Sequence, residues 1–312
     1  MTMPASDALQ PSFVILGVPF DGGASLGSPG SRYAPEEIRR AMRWMFQRAQ
    51  QGRIFVLDID RVIPFSPERV RDLGDVPVVA HDVAQMGERV TVRLREVFRG
   101  PEIPVVLGGD DSMTFPVIRA LHEETRGELG LIHLDAHLDL LDESDLQGRL
   151  SQSSPIRRSL ELGRLRGRRV IQIGVRNFNF PSSHDFIREQ GITLLPAREF
   201  HRIGVEAAAA RALEITRGAA AVHLALDVDV LDPAYAPGAG VAEPGGLTAR
   251  QLFDFLWAVA PATRSISIVE TNPLVDPRGQ SVMVAAAAAM HYMVARFAAG
   301  ASPGPGQSPG PG

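Results

Sequence analysis

The amino-acid sequence predicts a three-layer α/β/α fold built on a central, mostly parallel sheet. Two observations carry that reading. Short apolar runs of strand type alternate with stretches of helical periodicity, the pattern of a parallel sheet covered on both faces. The acidic residues with obvious chemistry then fall just after apolar runs, at the carboxyl ends of strands, where ligands of such sheets gather.

Residues 13–18 read as a buried strand that feeds Gly17-Val18-Pro19-Phe20-Asp21-Gly22-Gly23 and a small-residue loop to Ser31. Ala34-Pro35-Glu36-Glu37-Ile38 opens a helix, with proline at its start and acids in its first turn. A second strand is expected over residues 53–59 and a helix over 84–98. The strand 103–107 ends in Gly108-Gly109-Asp110-Asp111-Ser112, ahead of a helix from Met113 to about Thr125. A central strand runs over 131–134 and another over 170–174, followed by a helix that ends near Gly191. Strands 192–195 and 221–226 flank the alanine-rich helix 205–217, capped by Gly218. Thr248 caps a helix to Ala260, which Pro261 stops. Residues 265–270 are the last strand and 281–297 the last helix. Flanking the domain over 12–299, residues 1–11 are expected to be flexible. The Pro-Gly tail 300–312 is too poor in apolar residues to pack and is expected to be disordered.

With 312 residues, 45% of them hydrophobic, the chain suits one large α/β domain or two smaller ones. No run of about 18 uncharged apolar residues suggests a membrane span. The N-terminus lacks the charged start and apolar core of a signal peptide, and a cytoplasmic location is the default. The absence of cysteine excludes disulfides, thiolate nucleophiles and zinc–sulfur sites. All 32 basic residues are arginine, and six of them crowd residues 157–169. With a net charge of −4 and no interleaved aromatics, that segment reads as a solvated connection rather than a nucleic-acid contact.

The chemistry concentrates in two stretches. In Leu134-Asp135-Ala136-His137-Leu138-Asp139 two carboxylates and an imidazole alternate, so an extended backbone points all three the same way. That is a first shell for a hard or borderline divalent cation. In Leu226-Asp227-Val228-Asp229 another apolar run ends in two carboxylates, before Asp232-Pro233 breaks the chain. Brought together without a cation, these acids would repel. Four carboxylates and a histidine exceed what one ion usually takes, which points to a bridged metal pair able to hold a hydroxide.

Asp-Ala-His-Leu-Asp from Asp135, together with Ala-Leu-Asp-Val-Asp-Val-Leu-Asp-Pro-Ala-Tyr-Ala-Pro-Gly from Ala225, resembles the paired signature of the ureohydrolase family, which includes arginase and agmatinase. The resemblance extends from Gly17 to about Ala289, with 73–76 matching a short family strand, and implies the arginase-like fold. It implies two Mn²⁺ per chain, bridged by Asp135 and Asp227, with His137 and Asp229 on one ion and Asp139 and Asp111 on the other. It further implies urea release from a guanidino compound by a metal-bridging hydroxide, and a homo-oligomer, trimer or hexamer. Glu270 matches a residue that receives the guanidinium, as a carboxylate suits a planar N–H fork.

Three departures stand out. Asp111 replaces the histidine of G-G-D-H-S, which sets five carboxylates against two dications and should make the metals poorer Lewis acids. Gln152 replaces a histidine that shuttles protons and cannot titrate near neutrality, which leaves proton delivery to water or Asp139. Ser28 stands where the family has arginine in a loop that borders the substrate mouth. Arg176 and Asn177, after a strand end, are candidates to line that mouth, with packing or an ion pair as the alternative for Arg176. His133 and His223 read as satisfied core residues.

Leu140-Leu141-Asp142-Glu143, apolar and acidic, argues against an α-carboxylate ligand, and the segment 151–158 is closer to the agmatinase branch. The expectation is an agmatinase-like amidinohydrolase. The alternatives are a guanidinobutyrase-like guanidino-acid hydrolase, or a non-catalytic subunit that partners an active paralogue.

Overall fold

The computed structural model describes residues 11–24 and 27–300. The expected flexible N-terminus and Pro-Gly tail lie, but for Pro11 and Gly300, outside them.

Among the described residues ten strands follow one another: β1 (Phe13–Gly17), β2 (Arg53–Val56), β3 (Arg61–Pro64), β4 (Val70–Asp75) and β5 (Ile103–Leu107), then β6 (Leu129–Leu134), β7 (Leu165–Ile173), β8 (Thr193–Leu195), β9 (Ala221–Asp227) and β10 (Ser265–Val269). Eight of them form one sheet in the order β4-β1-β5-β10-β9-β6-β7-β8. Every pairing in it is parallel. The three-layer α/β/α expectation holds.

Strand periodicity divides the core. Ile132, Leu134, Leu224, Leu226, Ile266 and Ile268 face one layer, and the residues between them face the other. The first layer holds the helices Ala34–Phe46, Val205–Thr216, Ala249–Val259 and Gln280–Gly300, the second Val83–Phe98, Thr114–Glu124, Pro155–Leu160 and Pro181–Gln190. Gln280–Gly300 is long and apolar enough to cross a membrane by length and composition alone. Here it packs inside the protein, with Tyr292 and Phe297 buried and Arg296 donating to the carbonyl of Ala260.

Several expectations need correction. The stretch 53–59 is not a strand of the main sheet: β2 turns at Leu57–Ile59 and pairs antiparallel with β3 as a separate hairpin. The Arg157–Arg169 segment is not a solvated connection. It contributes a helix and most of β7, with Arg158 buried and bonded to Asp142. Of the alternating acids only Asp227, the last residue of β9, sits on an extended strand. β6 stops at Leu134, and Asp229 lies in the short 3₁₀ turn Val228–Val230. The helix Ala197–Ile203 went unforeseen, and Thr248 caps its helix through a reciprocal pair with Gln251, as expected.

β5, β10, β9 and β6 are the four central strands, and their carboxyl ends deliver Asp111, Glu270, Asp227 and Asp135. Gly109 makes that convergence possible. A Cβ there would stand 1.7 Å from the Phe20 carbonyl oxygen, so the chain can pass only as glycine. Its own carbonyl accepts from Glu270 N at 2.8 Å, and Asp110 N donates to Phe20 at 2.9 Å. We expect Gly109→Ala to lower unfolding free energy by about 3 kcal/mol or more in urea titrations. A loss below about 1 kcal/mol would show that the crossing can relax.

Candidate metal centre

Four of the acids are fixed by backbone donors before any cation is considered. Asp135 Oδ1 accepts from His137 N at 2.5 Å, and Asp227 Oδ1 from Asp229 N at 2.8 Å. Asp229 Oδ1 takes Ala136 N at 3.0 Å, which ties the turn after β9 to the loop after β6. Glu270 Oε1 takes Asp111 N at 2.9 Å. Asp139 and Glu270 hold left-handed backbones, with φ of 52° and 60°, a strained choice for non-glycine residues that clusters at functional sites. The carbonyl of Asp139 is held by Arg157 N at 3.2 Å.

Asp111, His137, Asp139, Asp227, Asp229 and Glu270 line a cleft of ≈ 630 Å³, together with Gln152. Asp135 lies behind them, fully buried. Candidate ligand atoms fall in two groups sharing Asp135, one with Asp111, His133 and Asp139 and one with His137 and Asp229; within each group the atoms lie within 4.8 Å of one another. His137 Nδ1 stands 2.9 Å from Asp229 Oδ2 and 3.4 Å from Asp135 Oδ1.

So many acids in so little water cannot all remain ionised. Burial pushes Asp111 up to about 6, and burial with neighbouring acids raises Asp139, Asp227, Asp229 and Glu270. Asp110, adjacent and buried, rises to about 7. Burial also pushes Asp135 upward, but His133 and His137 beside it outweigh that and hold it well below the usual carboxylate range. His137 responds in kind: its two carboxylate partners overcome burial and push it up to about 11.

A metal pair fits this set. Both oxygens of Asp111 are buried without a hydrogen-bond donor. Buried carboxylate oxygens without donors are rare unless a cation or a proton completes them. Oxygen-rich donors with one imidazole suit Mn²⁺ among the biological dications.

Arg176 does not reach the cleft, contrary to its candidacy as a substrate-binding residue. Its guanidinium gathers the carbonyls of Gly174, Asp229, Val230, Leu231, Glu243 and Pro244 at 2.6–3.3 Å. It is a strut beneath the Asp229 turn. Asn177 is exposed and bonds Glu243, outside the cleft lining. Gln152 is in the cleft wall, anchored by its N–H to the Gly23 carbonyl at 3.1 Å.

Sequence reasoning missed Asp110 and undervalued His133. Asp110 accepts from Gly23 N at 2.7 Å and Ser112 N at 3.0 Å, and so pins Gly23, whose carbonyl receives the Gln152 N–H. His133 is fully buried as expected, yet its Nε2 lies 3.0 Å from Asp135 Oδ2. Its place two residues before Asp135 was the available signal. His223 is the satisfied core residue expected, held between Ser265 and Ser267.

The arginase family's sequence pattern matches residues 11–295. The chain belongs to the arginase family. It is 35% identical to guanidinopropionase of Pseudomonas aeruginosa over 92% of this chain and 87% of that one. It is 32% identical to the mitochondrial agmatinase of Gallus gallus, over 90% of this chain and 79% of the other. Its fold matches the proclavaminate amidino hydrolase of Streptomyces clavuligerus with a TM-score of 0.80 and 29% identity, covering 92% and 93% of the two chains. Arginase-family proteins of this kind hydrolyse C–N bonds of amidines, and this chain is such an amidinohydrolase. The family centre is binuclear and manganese-dependent.

The raised carboxylates give the metal-free protein a defined pH response. The folded state then binds more protons than the unfolded chain from about pH 4 upward, so stability is greatest in acid and falls as pH rises through the elevated values. Asp135 works the other way, but below that window. With metal bound the sign reverses, because protons compete for the ligands. We expect the chelator-treated protein to melt higher at pH 5 than at pH 8, and the Mn²⁺-loaded protein to melt higher at pH 8. Parallel pH profiles for the two forms would contradict the assignment.

Proposed function

We propose that this amidinohydrolase releases urea from a linear guanidino compound, with the guanidinium end held by Glu270. The observation that carries the reading is the placement of Glu270. Its Oε1 is fixed by Asp111 N, while Oε2 sits beside Gly240, where any Cβ would come within 2.9 Å of it. One carboxylate oxygen is thus anchored, and room is kept at the other for an N–H donor.

Asp111, Asp135, His137, Asp139, Asp227 and Asp229 would hold two Mn²⁺, which supply a polarised, readily deprotonated water for attack on the guanidinium carbon. Asp139 raises a carboxyl into the same space and is the group we assign to carry a proton toward the departing amine. Gln152, which cannot titrate near pH 7, orients that nitrogen by hydrogen bonding. The aliphatic linker then lies against Leu138, Leu140, Leu141 and Val241 of the cleft wall.

The two expected substrate classes part at the mouth. An agmatine-type amine would need an unengaged carboxylate there, but Asp142 is already contacted by Arg149, Arg157 and Arg158. Arg157, stacked 3.8 Å over the ring of Phe186, lines the cleft and offers positive charge. We therefore favour a guanidino acid over agmatine, in keeping with the guanidinopropionase likeness. The non-catalytic alternative is the weaker reading, because Asp111 keeps both oxygens among the other ligand candidates.

Two measurements test this. Urea release with Mn²⁺ should be faster from 3-guanidinopropionate or 4-guanidinobutyrate than from agmatine; a preference for agmatine would overturn the tail assignment, and no urea from any of them would overturn the substrate class. Glu270→Gln should cut kcat/KM by about 100-fold or more while bound metal is unchanged. Wild-type kinetics in that variant would remove Glu270 from guanidinium binding.

A further inference from the structure

The two groups of candidate ligands around Asp135 differ in one respect that bears on which ions they hold. His137 brings an imidazole to the group with Asp229, and its Nδ1 faces both carboxylates. The other group, with Asp111 and Asp139, has only His133 as a source of nitrogen.

The hydrogen bonds around His133 decide whether it can serve. Gln172 Nε2 stands 2.6 Å from the Leu138 carbonyl oxygen, so that end of the amide must be its NH₂ group, since two oxygens so close would repel. The same NH₂ lies 3.1 Å from His133 Nδ1. A donor facing Nδ1 makes that nitrogen the acceptor, and in a neutral imidazole the proton then sits on Nε2. Nε2 is the nitrogen that reaches the acids, 3.0 Å from Asp135 Oδ2. A protonated ring nitrogen has no lone pair for a cation. His133 presents an N–H to the cluster and is not a substitute for the histidine replaced by Asp111.

What remains in that group is oxygen alone: Asp111, Asp135 and Asp139. Asp111 is 1% exposed and neither of its oxygens has a donor. Nitrogen ligands are what favour the later transition ions, whereas carboxylate and water suit Mg²⁺ and Mn²⁺. The open cleft leaves water to fill the remaining positions, as Mg²⁺ prefers.

We propose that the two cation positions are unequal: Asp111, Asp135 and Asp139 form an all-oxygen site that takes Mg²⁺ in competition with Mn²⁺, while the His137–Asp229 side keeps Mn²⁺. The inference rests on the reading that this cluster holds two cations. Where both ions are supplied the centre becomes a mixed-metal pair, and Asp111 is the residue that sets the preference of its half.

Metal content tests this without reference to activity. Metal-free full-length protein is equilibrated with micromolar Mn²⁺ and millimolar Mg²⁺, and bound ions are counted by elemental analysis alongside the Mn²⁺ paramagnetic resonance spectrum. We expect one Mn²⁺ and one Mg²⁺ per chain and the six-line spectrum of an isolated Mn²⁺. Asp111→His, which adds an imidazole, should bind two Mn²⁺ with a spin-coupled spectrum. Two Mn²⁺ in the wild type under this competition, or no difference between wild type and Asp111→His, would overturn the proposal. His133→Gln serves as the second variant: unchanged metal content supports the oxygen-only site, and loss of one ion would make His133 a ligand and overturn it. Wild type holding two Mn²⁺ and releasing urea would sink only this inference. Wild type binding no metal would sink the two-cation reading as well.

Discussion

Asp135 and Asp229 reach toward each other from neighbouring strand ends with only the His137 ring between them, Nδ1 lying 2.9 Å from one and 3.4 Å from the other. Around that contact Asp111, Asp139, Asp227 and Glu270, each nearly buried, crowd the floor of the cleft. Buried carboxylates at such distances cost several kcal/mol each unless protons or cations answer them. The protein accepts that cost at one place, the carboxyl ends of four adjacent central strands. The surrounding framework holds the acids in position against their repulsion.

That framework is mostly backbone. Main-chain N–H groups of residues 111, 136, 137 and 229 hold four of the acids, and the sheet fixes where those groups lie. Arg176 binds six carbonyls beneath the Asp229 turn, so a cation sits under the acidic floor without neutralising any of it directly. Asp110 secures the loop opposite through Gly23 and Ser112. Two residues with left-handed backbones, Asp139 and Glu270, show that the aim of individual carboxylates was kept at the expense of local comfort. The charge is held in a rigid scaffold and left open toward the substrate cleft.

The fold was legible because strand alternation and helix capping are local signals, read off residues such as Thr248 and Gly191. Six metal candidates were legible for the same reason: they lie directly after apolar runs. Strand alternation does not account for their convergence, since neither Asp139 nor Asp229 lies on an extended strand. Tight turns bring them together. Arg176 was misplaced because five of its six carbonyl partners lie 53–68 residues away, which no local pattern reveals. The tautomer of His133 depends on Gln172 across the sheet and lay equally out of reach of sequence alone. The hairpin of β2 and β3 was taken for a sheet strand because its residues have strand composition, and only its turn at Leu57–Ile59 separates the two readings.

Burial makes these acids hold protons when they do not hold metal. The most direct test is to count protons released as Mn²⁺ is titrated into chelator-treated protein near pH 6, by calorimetry in buffers of different ionisation enthalpy. The elevated values of Asp111, Asp139, Asp227 and Asp229 call for net release of more than one proton per chain as the ions bind. Binding with no proton release would mean that the carboxylates were already ionised, and the electrostatic account of the centre would fail.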